Sequence, residues 1–164
     1  MPAASTPDLD PLDLKILEIL QAEARLPTAE LARRVGLTAT PTQERVRRLE
    51  RDGIVVGYTA LVDAEKLGKH LTVIASVTLA MHDAPAVNAF LAGIEALPEV
   101  MECHHVTGEA DFLLKVLVAD TRRYERLLRD SLTQLPGVRQ IRSSVVLSTP
   151  KHRTTIPVQS GDGG

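Results

Sequence analysis

Residues 28–54, TAELARRVGLTATPTQERVRRLERDGI, decide the fold of the N-terminal part of this 164-residue chain. Thr28 and Thr38 are candidate N-caps of two short helices, because a threonine hydroxyl can accept a backbone hydrogen bond there. Gly36, between them, suits the left-handed position that ends a helix. The second helix is predicted over residues 39–51. Two short helices joined by so tight a turn are typical of a helix-turn-helix.

The flanking segments extend this motif to a three-helix domain. Upstream, Asp10 is a candidate N-cap and Pro11 suits the first position of a further helix. Its apolar residues follow helical spacing: Leu12, Ile16, Leu17, Ile19 and Leu20. Downstream, residues 54–56 (Ile-Val-Val) predict a closing strand, as in a winged or a linker-strand version of the helix-turn-helix.

Residues 71–147 follow a different pattern. Apolar and polar residues alternate from Leu71 to Leu79, which predicts a strand. Leu-Pro-x-Val occurs at residues 97–100 and again at 135–138, each time between a helical stripe and a strand. The predicted elements are strands at 71–79, 100–107, 111–118 and 138–147 and helices at about 87–97 and 124–135. The order strand, helix, strand therefore occurs twice. It predicts a ferredoxin-like βαββαβ fold, with both helices on one face of a four-stranded antiparallel sheet.

The chain is therefore predicted to be an α+β protein with two domains. The first spans residues 9–61 and the second 71–157, with a linker at 62–70. The tails, residues 1–8 and 158–164, are predicted to be disordered. Because the sheet face without helices still carries apolar residues, we expect a second subunit to cover it and predict a homodimer.

Composition excludes several classes of protein. The net charge of −2 gives no general attraction to nucleic acid, so a DNA contact must come from a local cluster. Four aromatic residues are too few for a surface that stacks single-stranded bases. The chain has no apolar run near the ~18 residues of a membrane span and begins without an export signal. The lone Cys103 fits a reducing compartment, so a cytoplasmic protein without a membrane contact is expected.

Arginines cluster on the helix predicted over residues 39–51. A helical wheel places Val46 and Leu49 on its core side, with Thr42 near them. Arginine can read guanine, and glutamine can read adenine, in the major groove. The free N–H groups at the helix start suit phosphate. The predicted DNA-contacting residues are Thr38, Thr40, Thr42, Gln43, Glu44, Arg45, Arg47, Arg48 and Arg51.

A charged helix that contacts only water would show the same pattern. The helix-turn-helix spacing favours DNA binding over this alternative. Arg45 lies at the edge of the outward face, where a structural salt bridge or a phosphate contact would fit as well as base recognition. A pair of such helices in a dimer would read palindromic or pseudo-palindromic half-sites in double-stranded DNA.

A polar turn at residues 107–111 is the second candidate site. The backbone at Gly108 is open to an anion such as a carboxylate, and Asp111 could accept hydrogen bonds from an ammonium group. Together with Thr107 and Glu109, these groups suit an amino-acid-like zwitterion. The residues alone favour a simple hairpin turn.

The sequence does not predict a metal site, a cofactor or catalysis. His104 and His105 are neighbours on a predicted strand, so their side chains point to opposite faces and cannot ligate one ion. Glu102 and His104 share a face but make an incomplete site. No phosphate-binding loop, nucleophile motif or paired carboxylates accompany them, so we expect a protein that is not an enzyme.

Taken together, these residues resemble the Lrp/AsnC (feast/famine) transcriptional regulators over residues 9–157. The matching segments include GLT at 36–38, ERVRRLE at 44–50, GYTAL at 57–61, ECH at 102–104, DFLLK at 111–115 and LPGV at 135–138. The order of these motifs is also that of the family.

The resemblance implies a winged helix-turn-helix joined to a ferredoxin-like (RAM/ACT-like) effector domain. It implies dimers that assemble further, often into octamers, and association with the nucleoid. It also implies a small amino-acid effector bound between dimers, near Gly108 and Asp111. Ser143 and Ser144, on the last strand, match positions that line the effector site. Thr42, Ser143 and Ser144 differ from the residues common in the family, which leaves the operator and the effector open.

Two alternatives follow from the same residues. The ferredoxin-like half could belong to an enzyme or a metabolite-binding module that uses the helical half for assembly. An architectural protein that binds DNA regardless of sequence would also carry the arginine cluster.

Overall fold

The computed structural model describes residues 8–158. They form two compact units. The first consists of the described residues up to Leu61 together with those from Lys151 onward; the second is Val62–Pro150. Of the two tails predicted to be disordered, all but Asp8 and Val158 lie outside the described residues.

The first unit contains three helices: α1 (Pro11–Ala22), α2 (Thr28–Val35) and α3 (Ala39–Arg51). Helix α1 begins with the predicted cap, because the Asp10 side chain accepts from the backbone N–H of Asp13 and the Asp13 side chain accepts from that of Asp10. The apolar faces of the helices meet in one core, formed by Ile16, Leu17, Leu20, Leu31, Val35 and Leu49.

The turn between α2 and α3 follows the sequence prediction, with one correction. Gly36 has φ 76° and lies in the left-handed region, and the N–H of Leu37 donates to the carbonyl of Ala32 at 2.9 Å. Thr28, however, is the first residue of α2, and the N-cap position is held by Pro27. Proline preset to φ near −65° suits this boundary.

The closing strand predicted at residues 54–56 is absent from the described chain. Instead, the N–H groups of Ile54 and Val55 both donate to the carbonyl of Leu49, which ends α3 in a tight turn. No strand is formed from there to Leu61 within residues 8–158. A strand needs a hydrogen-bonded neighbour, and the first unit supplies none in its described part.

The C-terminal segment Lys151–Val158 belongs to the first unit, whereas the sequence pattern had assigned residues up to 157 to the second domain. The Gln21 side chain accepts from the N–H of Ile156 at 2.6 Å and donates to its carbonyl at 3.0 Å. Val158 packs against the core of the three helices. Such a contact, between residues 135 positions apart, leaves no periodic signal in sequence.

The second unit confirms the βαββαβ prediction. Its elements are β1 (Leu71–Leu79), α4 (Ala84–Glu95), β2 (Val100–His105), β3 (Phe112–Val118), α5 (Thr121–Asp130) and β4 (Val138–Val145). One-turn 3-10 helices lie at Glu65–Leu67 and Leu132–Gln134. The strands form an antiparallel sheet in the order β2-β3-β1-β4.

The two faces of this sheet differ in burial. Val73, Ala75 and Val77 of β1 are fully buried in a core that also holds Phe90 and Phe112, whose ring centroids are 4.8 Å apart. The intervening residues of β1, such as Ile74, are only partly buried. No helix in the described part of the chain is long and apolar enough to cross a bilayer.

Candidate DNA-binding and effector sites

One exposed stripe runs along α3. Its spacing of three and four residues places the side chains on a single face of the helix. The exposed residues of the predicted set are Thr40, Gln43, Glu44, Arg47 and Arg51, with Thr38 exposed at the N-cap. The Thr38 side chain makes no capping hydrogen bond. Its hydroxyl and the first N–H groups of α3 can therefore meet a phosphate.

Arg47 lies at the centre of this stripe. None of the ion pairs formed within residues 8–158 involves it. Arg51, by contrast, is held by Asp52 at 3.2 Å. Arg47 therefore offers a guanidinium fork that can read a guanine edge or hold a phosphate.

Arg45 and Arg48 turn away from the stripe towards α1. Arg45 Nη1 lies 2.6 Å from Asp10 Oδ2 and 2.8 Å from Asp13 Oδ1, and Arg48 donates to the second oxygen of Asp13. Asp13 is fully buried. The N–H of Asp13, and then Arg45, lower the pKa of Asp10.

The structure thus gives two of the arginines predicted to contact DNA an ion-pair partner within the first unit. The helical wheel placed Arg48 on the outward face, but its long side chain curls back to the Asp13 carboxylate. Arg45 forms a structural salt bridge, which was one of the alternatives open to it from the sequence. A wheel positions Cβ atoms and cannot show where a long side chain ends.

Thr42, in contrast, is a correction to the predicted set of DNA-contacting residues. It is fully buried, and its hydroxyl donates to the carbonyl of Thr38 at 2.9 Å. This bond to the preceding turn satisfies the hydroxyl inside the domain. Thr42 therefore contributes to packing and not to the surface of α3.

Ion pairs also hold the side chains of α2. Glu30 accepts from Arg33 at 2.6 Å and from Arg34 at 2.9 Å. These two hydrogen bonds, the one from Arg33 first, lower the pKa of Glu30 to about 2.

On α3, Glu50 accepts a hydrogen bond from the hydroxyl of Tyr58 at 2.8 Å. Burial and, second, this contact raise the pKa of Tyr58 to about 12.

The turn between β2 and β3 holds the Asp111 carboxylate between two donors. Its Oδ2 accepts from the N–H of Leu79 at 2.8 Å, and its Oδ1 lies 3.0 Å from His82 Nε2. The N–H of Leu79, then His82, lower the pKa of Asp111. Its side chain keeps 21% of its surface exposed. A ligand ammonium group can therefore reach it by replacing His82.

The other residues of this turn are open to solvent. Thr107, Gly108 and Glu109 are exposed. Gly108 has φ 122°, a conformation that favours glycine. Glu109 lies 3.2 Å from Arg142 Nη1, which reaches it from β4. Carboxylates and a cation therefore lie together at this end of the sheet.

Ser143 and Ser144 are not brought together with the turn. Ser143 lies opposite Ala75, on the face that carries the helices, and its hydroxyl lies 2.6 Å from that of Tyr124. Ser144 lies opposite Ile74 on the other face. The turn begins beside Phe112, which pairs with Val77 of β1. Ile74, the partner of Ser144, lies three residues from Val77, so Ser144 is displaced from the turn by about 10 Å along the strand direction.

Sequence reasoning missed two residues beside this turn: His82, which contacts Asp111, and Arg142, which contacts Glu109. His82 follows β1, and Arg142 precedes Ser143 on β4. Neither belongs to a motif, and only the pairing of β1 with β3 and β4 brings them near the turn. Asp10 stood out in the sequence only as a candidate N-cap, and nothing there marked Asp10 or Asp13 as partners of Arg45 and Arg48.

The residues considered for metal binding or catalysis have other partners. Glu102 accepts from Lys115 Nζ at 2.7 Å and lies 3.0 Å from His104 Nε2. Those contacts lower the pKa of Glu102. His105 stacks on Phe112, with ring centroids 4.7 Å apart. Burial raises the pKa of the Cys103 thiol, which disfavours the reactive thiolate.

Comparison with known families accounts for both halves of the chain. The family model of the winged helix-turn-helix DNA-binding domain matches residues 9–56. The model of the Lrp/AsnC ligand binding domain matches residues 72–156.

Known proteins match over almost the full length. The leucine-responsive regulatory protein of Haemophilus influenzae is 43% identical over 143 residues, which cover 87% of this chain and 86% of that protein. Its counterpart in Escherichia coli is 40% identical over 153 residues, 93% of each chain.

Solved structures agree. A transcriptional regulator from Neisseria meningitidis, in complex with L-methionine, has a TM-score of 0.87 at 36% identity and covers 91% of this chain and 96% of its own. Escherichia coli AsnC has a TM-score of 0.84 at 28% identity, covering 91% and 99%. This chain therefore belongs to the Lrp/AsnC family of DNA-binding, effector-binding transcriptional regulators.

Proposed function

We propose that this protein regulates transcription by binding specific palindromic or pseudo-palindromic promoter sites, with α3 in the major groove. The observation that supports this most strongly is the α3 stripe of Thr40, Gln43, Glu44 and Arg47, in which Arg47 has no ion pair among the described residues. Arginine and glutamine are the side chains that distinguish guanine and adenine in this groove. Arg51 and Thr38 would contact phosphates at the two ends of the helix.

We further propose that an amino acid modulates this binding at the turn of residues 107–111. Asp111 would accept the ammonium group, while the cation of Arg142 and the backbone at Gly108 suit the carboxylate. The L-methionine bound to the Neisseria meningitidis relative supports this class of effector. Ser143 and Ser144 would join the site only through a second subunit or a rearrangement, since one subunit holds them apart from the turn.

A homodimer that assembles further, to an octamer, completes the proposal. Its support is the partly buried face of the sheet and the exposed apolar side chains of Val56, Leu61 and Val62, which are 95%, 74% and 70% exposed. Two copies of α3 about one symmetry axis would read the paired half-sites. Such a regulator works on the nucleoid in the cytoplasm and needs neither a cofactor nor a catalytic step.

The test compares Arg47→Ala with Arg126→Ala. Both are exposed arginines outside every ion pair of the described chain, but Arg126 lies on α5 of the second unit. Fluorescence anisotropy with a duplex from the promoter of the protein's own gene should show a large loss of affinity for Arg47→Ala only. Equal binding by both variants would contradict the proposal. It would favour the alternative of an enzyme or metabolite-binding module that uses its helical half for assembly.

Competition between promoter and random duplexes separates a regulator from an architectural protein. A regulator is expected to prefer the promoter by roughly 10³-fold or more, as is typical of specific binding. For the effector, calorimetric titration of the twenty amino acids should show binding by at least one. Asp111→Asn should weaken that binding, because the amide lacks the charge that attracts an ammonium group. No heat from any amino acid would remove the effector proposal.

A further inference from the structure

The C-terminal segment Lys151–Thr155, KHRTT, is exposed over all five residues. Two of the five, Lys151 and Arg153, are basic side chains. Neither Lys151 nor Arg153 takes part in an ion pair formed within residues 8–158. The segment therefore presents positive charge that nothing in the described chain neutralises.

The charge of the first unit depends on this segment. Residues 8–61 carry nine acidic and eight basic side chains, so they give DNA no net attraction. Residues 151–158 add two basic side chains and no acidic one. The segment thus changes the formal charge of this unit from slightly negative to slightly positive.

The segment is also held in place. Three residues after Arg153, both backbone groups of Ile156 are bound by the Gln21 side chain, at 2.6 and 3.0 Å. Val158 is partly buried and packs against the core of the three helices. An anchored cation loses less conformational freedom on binding than one on a loose tail, so the anchor favours a role in binding.

We propose that residues 151–155 form a second DNA-contacting element, which binds backbone phosphates beside the site read by α3. Lys151 and Arg153 supply charge-assisted hydrogen bonds, and the hydroxyls of Thr154 and Thr155 are further phosphate donors. DNA, a polyanion, is the partner that fits a short basic stretch in the same unit as α3. This inference rests on the proposed DNA-binding function.

The test is the double variant Lys151→Ala/Arg153→Ala in the full chain. Its matched control is Arg122→Ala/Arg126→Ala, which removes the same charge from exposed positions on α5. Promoter affinity is measured by fluorescence anisotropy over a series of KCl concentrations. The C-terminal variant should bind about three- to tenfold more weakly. Its plot of log K against log salt should be shallower by about 0.9 for each phosphate that the variant no longer neutralises.

Two further readouts make the result specific. The ratio of promoter to random-duplex affinity should stay unchanged, because phosphate contacts carry no sequence information. Gln21→Ala, which removes the anchor and keeps the charges, should reduce affinity by a smaller factor than the double variant. Unchanged affinity and slope in Lys151→Ala/Arg153→Ala, or an equal reduction in the α5 control, would overturn the inference.

The Arg47→Ala variant distinguishes the two proposals in the same assay. If it abolishes binding while the C-terminal variant does not weaken it, only the present inference fails. If the wild-type chain binds neither duplex, the proposed function fails and this inference fails with it.

Discussion

Arg45 donates a 2.8 Å hydrogen bond to Asp13, whose carboxylate is completely enclosed in the first unit. Arg48 donates to the other oxygen of that carboxylate, so a single aspartate on α1 holds two arginines of α3. The same aspartate closes the capping box of α1. The contact thus ties α3 to α1 through two of the arginines that the sequence analysis included among the predicted DNA contacts.

Removing Asp13 should therefore weaken the first unit. Asp13→Ala leaves the two guanidinium groups without their shared partner and opens the cap, for an expected loss of about 2 kcal/mol. The loss stays moderate because both arginines reach solvent. Urea unfolding of the full chain measures it. Asp52→Ala, which breaks an exposed pair with Arg51, is the control and should change stability by less than about 0.5 kcal/mol. Equal effects of the two variants would show that burial of Asp13 adds nothing.

The core of the second unit gives a prediction with a neighbouring control. Phe90 is fully buried against Phe112, whereas Leu91, the next residue on α4, is 39% exposed. Phe90→Ala should cost about 3–5 kcal/mol, because it removes buried surface and leaves a cavity. Leu91→Ala should cost far less. Thermal unfolding followed by circular dichroism compares them, and a larger loss for Leu91→Ala would mean that the register of α4 is wrong.

Asp111 predicts a pH dependence of stability in the second unit. Its pKa is lowered in the folded state, first by the N–H of Leu79 and then by His82. The carboxylate therefore contributes stability above its unfolded pKa of about 3.9, and this contribution is lost as the pH falls through the folded value. Unfolding measured between about pH 5 and pH 2 should show a steeper decline for the wild-type chain than for Asp111→Asn. Parallel profiles would indicate that the two hydrogen bonds do not favour the charged form.

The two serines of β4 should behave differently. Ser143 shares a 2.6 Å hydrogen bond with the hydroxyl of Tyr124, whose pKa is raised by burial. Ser143→Ala removes this partner and should cost about 1 kcal/mol. Ser144, on the other face, has no such bond in the described chain, so Ser144→Ala should leave the stability of the isolated subunit almost unchanged. Denaturant unfolding at low protein concentration tests this difference. A loss confined to Ser144→Ala would reverse the assignment of the two faces.

The local elements were predictable from sequence because they depend on patterns within a few residues. Gly36 marked the turn between α2 and α3, and the alternation of β1 marked a strand with one buried face. The repeated Leu-Pro-x-Val preceded β2 and β4 and indicated the doubled βαβ order. The strand predicted at residues 54–56 was wrong, since β-branched residues favour a strand but a strand also requires a neighbour.

The candidate sites were less predictable, because their composition depends on contacts between distant residues. The sequence by itself determined that α3 is an arginine-rich helix of a helix-turn-helix and that a polar turn precedes a buried strand. Only the tertiary structure decided that Asp13 binds Arg45 and Arg48, while Arg47 stays exposed. It also decided that His82 and Arg142 lie beside the polar turn. The hydrogen bonds between Gln21 and Ile156 likewise depend on the tertiary structure. Sequence periodicity indicates on which face of a helix or strand a side chain is attached. The partner that a long charged side chain finally meets is set by packing between elements that are far apart in the chain.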